Sequence, residues 1–112
     1  MSKSLEKHIG ELLFQLPAMI KIANGETKIS QEEGPAVYRI RRFEEVVRIV
    51  DGIRDVYEKL EDDKQAFISS YYWEMETTTI EAAGRENFIS ANTAKRWKKE
   101  IANSIAKRLG WL

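Results

Sequence analysis

Ser90-Ala-Asn-Thr-Ala-Lys-Arg-Trp-Lys-Lys-Glu-Ile-Ala-Asn-Ser-Ile-Ala-Lys-Arg-Leu-Gly-Trp-Leu112 is the stretch that decides how this chain reads. Ala94, Trp97, Ile101, Ile105 and Leu109 recur at the spacing of one helical face. Asn92, Lys95, Arg96, Lys99, Asn103 and Lys107 fall on the opposite side. A helix with a basic back is ordinarily just solvated. Arg, Lys and Asn are also the side chains that pair with guanine and adenine edges in a DNA major groove. The segment upstream therefore matters.

That segment, Glu74 to Ser90, reads as a second, short helix and a turn. Thr78-Thr79-Ile80-Glu81 has the Thr-x-x-Glu form of a capping box, in which hydroxyl and carboxylate satisfy free amides at a helix start. Gly84 and Asn87 favour the left-handed conformations that end helices. Phe88 and Ile89 are expected to supply buried contacts, and Ser90 is a good N-cap for the final helix. Short helix, glycine-containing turn and capped basic helix is the order of a helix-turn-helix. The competing reading is an ordinary helical hairpin.

The 112 residues suit one compact domain, or a small DNA-binding unit with a helical extension. An apolar share of 43% is enough for a core. Without cysteine there are no disulfides or thiolate metal sites. No apolar run reaches membrane-spanning length, and Met1-Ser-Lys-Ser4 shows no signal-peptide pattern, so no membrane association is expected. Net charge is zero, but its distribution is uneven. Residues 90–112 hold six bases and one acid, whereas residues 55–86 hold nine acids and three bases. Such a chain offers one positive surface to phosphates and a repulsive remainder. The helix macrodipole accounts for Asp62, Asp63, Lys107 and Arg108. It leaves the basic run at 95–99 unexplained.

The rest of the chain is helical in pattern. Leu5, Ile9, Leu12, Leu16, Met19 and Ala23 form a stripe on a helix from about Ser4 to Ala23, which Pro17 kinks or divides and Asn24-Gly25 closes. Residues 25–36 read as a mobile surface linker. A long helix, about Tyr38 to Leu60, carries Phe43, Val46, Val50, Ile53, Tyr57 and Leu60 as a heptad seam. That seam packs either against the first helix and the C-terminal unit or against a second copy in a homodimer. Ile49 and Val56 lie on its flank, away from the expected core. Gly52 permits a close helix crossing. The third helix, Asp63 to Trp73, has Asp62 as N-cap with Gln65 at the capping-box position. Its aromatics, Phe67, Tyr71, Tyr72 and Trp73, are assigned to packing rather than to base stacking. The organisation is thus all-α: residues 1–36 as N-terminal helix and linker, 37–60 as a long packing or dimerisation helix, and 61–112 as the helix-turn-helix unit.

Catalytic chemistry finds little footing. His8 is the single histidine, on what reads as an exposed turn, and no phosphate loop, nucleophile elbow or zinc motif occurs. Glu58, Glu61, Asp62 and Asp63 suit Mg²⁺ by type, but acids at a helix junction more commonly act as caps and solvated charges. The expectation is a non-enzyme without cofactor or metal.

The runs Val56-Tyr-Glu-Lys-Leu60, Ser70-Tyr-Tyr-Trp73, Thr93-Ala-Lys-Arg-Trp-Lys98 and Ile105-Ala-Lys-Arg-Leu-Gly110 resemble phage RinA-type transcriptional regulators and the related ArpU-type regulators. The resemblance spans Phe43 to Leu112. It departs from the family's minimal sigma-like turn between Ala83 and Ser90, where Arg85-Glu-Asn87 is extra. It implies a C-terminal helix-turn-helix similar to the promoter-reading domain of sigma factors. It further implies an activator of phage or prophage late genes, working in the cytoplasm of a bacterial host cell beside host RNA polymerase. In that arrangement Asn92, Arg96 and Lys99 face base edges, with Lys95 near bases or backbone. Ser90, Thr78, Thr79 and Arg85 meet phosphates through hydroxyls, guanidinium and helix N-terminal amides. Two alternatives from other classes remain: a small-terminase-like phage DNA-packaging protein, and a helical module that docks its basic helix on an acidic protein.

Overall fold

The computed structural model describes residues 1–28, 42–74 and 79–112, and every element in them is helical. The protein is all-α. Helix α1 spans Lys3–Phe14 and α2 Leu16–Ala23. Pro17, at the start of α2, divides what would otherwise be one helix. Lacking an N–H, it leaves the Leu13 carbonyl without its usual helical donor. The Trp73 indole Nε1 donates to that carbonyl at 2.8 Å instead. At the other end of α2, Gly25 takes φ 77°, and Glu26 N–H reaches back to the Lys21 carbonyl, the closure expected of Asn24-Gly25. Residues 29–41, which hold most of the linker and the expected start of the long helix, lie outside the described residues.

Helix α3, Phe43–Glu58, turns its heptad seam inward. Val46, Val50 and Ile53 are buried within this one chain, so they form core and not an exposed dimer seam. The seam frays at Phe43, which is 48% exposed. Its flank departs from expectation in the other direction: Ile49 is 2% exposed and belongs to the core. The reason is width. A helix wedged between neighbours buries a broader stripe than a two-helix seam requires.

Helix α4, Asp62–Ile68, runs into a π-helical turn, Ser69–Trp73, closed by Glu74 N–H on the Ser69 carbonyl. Asp62 is not its cap. Glu61 holds that position without a side-chain bond, and Gln65 Nε2 instead donates to the Tyr57 carbonyl. The π-turn sends three successive aromatics to three neighbours. Tyr71 lies under Lys98 Nζ, the Tyr72 hydroxyl reaches Gly10 of α1, and Trp73 meets Tyr57 edge-on besides bonding Leu13. Burial pushes the Tyr72 phenol's pKa upward, so it stays neutral. His8 is half-buried rather than on an exposed turn, its ring tilted 5.5 Å from Trp111.

Helices α5, Ile80–Glu86, and α6, Ala91–Arg108, complete the fold. The C-terminal half of α6 crosses α3 at Gly52. A Cβ there would lie 2.6 Å from Leu109 Cδ2, so any side chain at this position has to displace Leu109. Polar groups fasten this crossing on both sides. Arg48 donates to the Leu109 carbonyl at 2.8 Å, and Arg108 holds Asp55 Oδ2 through two nitrogens at 3.0 and 2.7 Å. Ile101, Ala102, Ile105, Ala106 and Leu109 are buried at this end of α6. No helix among the described residues is long and apolar enough to cross a membrane.

Candidate nucleic-acid interface

The start of α5 lies one residue later than its sequence suggests. Thr79 is the N-cap, its hydroxyl accepting from Ala82 N–H, so Glu81 sits too early to complete a capping box. Thr78 lies outside the described residues. Arg85 and Glu86 are inside α5, which leaves only 87–90 as the turn. The expected extra length is helix, not loop.

The turn's chemistry also differs from expectation. Gly84 is an interior helical residue whose missing side chain lets α5 approach α6. A Cβ on it would come 3.2 Å from the Ile89 carbonyl oxygen and 3.3 Å from Ala94 Cβ. Asn87 is not left-handed either. Its Nδ2 donates to the Ala83 carbonyl at 2.8 Å and to Ser70 Oγ at 3.1 Å, which ties the turn to the π-helical segment. Phe88 takes the left-handed position, and it is exposed rather than buried. Ile89 does pack inward, and its N–H closes on the Gly84 carbonyl. Ser90 caps α6 as expected, accepting from Thr93 N–H and donating to Thr93 Oγ1.

Trp97 anchors the first half of α6. It is buried, meets Phe67 edge-on at 6.0 Å, and carries Lys64 Nζ over its ring. With Ala94 also buried, the helix is fixed in rotation, and Asn92, Lys95, Arg96 and Lys99 all stand exposed. Lys95 lies 3.5 Å from Glu81 of α5, and Arg96 lies 3.7 Å from Glu100 one turn along. Both pairs are solvent-exposed, the kind worth little to stability. Glu81's own backbone amide, and after it Lys95, hold its carboxyl below the usual carboxylate range. Arg85 and Thr79 are exposed on α5, so α5 adds a cation and a hydroxyl to those of α6.

Comparison with protein-family models, characterised proteins and solved structures returns no match.

Lys99 borders a second feature. Between α1, the π-turn and α6 lies an open cleft of about 1080 Å³ whose lining includes Lys7, Phe14, Tyr71, Tyr72, Lys98 and Lys99. Lys98 is held over Tyr71, 5.4 Å from its ring centre. Of the basic run at 95–99, two members thus edge this cleft while Lys95 and Arg96 do not line it. Sequence periodicity gives no sign of that division, because it depends on where α1 lies. Among the described residues, no three His, Cys, Asp or Glu side chains converge as a metal-holding group.

Proposed function

We propose that this chain is a sequence-specific double-stranded DNA-binding protein, and specifically a phage or prophage transcriptional regulator that activates late genes. It acts in the cytoplasm of a bacterial host cell, without cofactor or catalytic step, next to host RNA polymerase. One observation carries the reading. A four-residue turn joins a short helix to a capped helix whose first two turns hold Asn92, Lys95 and Arg96 in solvent while Ala94 and Trp97 are buried. A recognition helix needs that combination: an anchored back, and base-reading side chains near the N-terminus that enters the groove. Arg85 and Thr79 supply phosphate contacts that set register.

The test is duplex selection from a random pool by the full-length protein, followed by binding titrations at several salt concentrations. We expect a recurrent sequence among the selected duplexes and an affinity that falls linearly with salt on logarithmic axes. Failure to retain any duplex at low salt overturns the proposal. A salt-sensitive interaction with no recurrent sequence reduces it to non-specific DNA binding.

A further inference from the structure

Phe88 is the only non-glycine residue with a positive φ among the described residues, at 59°, and it is 97% exposed. Glycine or asparagine holds such a helix-ending position at lower cost, because Cβ crowds the backbone there. The ring recovers nothing by burial. Nor is the position free to relax. Asn87 is tied to Ser70 and Ala83 on one side, Ile89 N–H is bonded to the Gly84 carbonyl on the other, and Ser90 is committed to capping α6. A large aromatic is thus displayed on a strained, pinned backbone where it contributes nothing to the core. Strain of this kind clusters at ligand-contacting positions.

Its place narrows the partner. Phe88 sits two residues before the N-cap of α6, so its Cα lies within about 7.6 Å of the Ser90 Cα. In a helix-turn-helix, that end of the second helix enters the major groove. The rest of a duplex surface presents charge and hydrogen-bonding edges. The thymine C5-methyl is the apolar group of the major groove.

We propose that Phe88 is a specificity-determining residue that packs on a thymine C5-methyl at the edge of the bound site. The inference rests on the duplex-DNA reading above. The probe is the duplex selected by the full-length protein, synthesised once with thymine and once with uracil, which lacks only that methyl. Wild-type protein is expected to bind the thymine duplex several-fold more tightly than the uracil one. Phe88→Gly and Phe88→Asn, both compatible with φ 59°, are expected to bind the thymine duplex about tenfold more weakly. They are also expected to lose the preference for thymine and to melt at or above the wild-type temperature. Equal binding by wild type and Phe88→Gly overturns the inference while leaving DNA binding intact. So does a thymine preference that survives in both variants, since the methyl is then read elsewhere. A wild-type protein that selects no duplex ends the DNA reading itself, and this inference with it.

Discussion

The two halves of α6 are similar in composition and opposite in use. Each has basic residues on its polar side, and each meets another helix through a glycine. At Gly52 a Cβ would press on the Leu109 side chain, and the two arginines there are bonded within the fold: Arg108 to Asp55, and Arg48 from α3 to the Leu109 carbonyl. At Gly84 the nearest atoms are the Ile89 carbonyl oxygen at 3.2 Å and Ala94 Cβ at 3.3 Å, and Lys95 and Arg96 nearby have exposed ion partners in Glu81 and Glu100. One end fixes the helix and the other presents it. Charge alone does not mark a binding face; what each cation is already bonded to does.

The largest effect that tests this contrast comes at the anchor between the halves. Trp97→Ala removes a buried ring from Phe67 and Lys64, and truncations of this kind cost about 3–5 kcal/mol. Thermal melting should show a large drop or no cooperative transition. Next is Gly52→Val, which forces side-chain atoms into the space of Leu109. Overpacking of this sort costs about 1–3 kcal/mol. Its melting temperature should fall, yet duplex affinity measured well below that temperature should match wild type. Weakened binding by folded Gly52→Val protein would show that the two halves are not separable.

Much of this division is legible in the sequence, and its limits are physical. The buried face of α6, the Ser90 cap, the break at Pro17 and the close crossing at Gly52 all follow from spacing and residue type, because each is a local or periodic property. The turn did not follow. Gly84 and Asn87 have the composition of left-handed residues, but Gly84 serves helix contact and Asn87 serves a side-chain bond to a buried serine. The strained position fell to Phe88, whose type gives no warning of it. The capping-box spacing to Glu81 favours Thr78, yet Thr79 is the N-cap. Ile49 read as flank because a heptad seam describes one partner helix, whereas a core helix has several. The cleft beside Lys98 and Lys99 has no sequence signature, being made by α1 and the π-turn together.

A substitution in the presenting half should reverse the pattern of Gly52→Val. Arg96 is exposed, with Glu100 as its ion partner at 3.7 Å, so Arg96→Ala should leave the melting temperature within error of wild type. If Arg96 pairs with a base, specific affinity should fall by about 1–3 kcal/mol and discrimination relax at one base pair. A uniform loss across all sequences, with a shallower salt dependence, would move Arg96 from base to phosphate. A drop in melting temperature would mean that the face assigned to DNA is part of the fold.

The smallest expected effect probes how freely the presenting half gives up its partners. Glu81 on α5 neutralises Lys95 at 3.5 Å, so under the proposed function this carboxylate competes with a phosphate for Lys95. Glu81→Gln removes that competition without truncating the side chain. Affinity for any duplex should rise by less than tenfold. The slope of log affinity against log salt should steepen by at most roughly 0.9, the full amount only where Glu81 keeps Lys95 off the phosphate in the wild-type complex. The sign with pH is also fixed. Glu81's own amide and Lys95 depress its pKa, so the carboxylate stays charged above the ordinary carboxylate range and the pair is lost only as pH falls through that lowered value. The gap between wild type and Glu81→Gln should therefore hold constant from about pH 8 to about pH 5. A gap that closes within that interval would mean that Glu81 is not held as charged as its contacts require. No gap at any pH would place Lys95 away from the bound DNA, leaving Arg96 and Asn92 to carry recognition on α6.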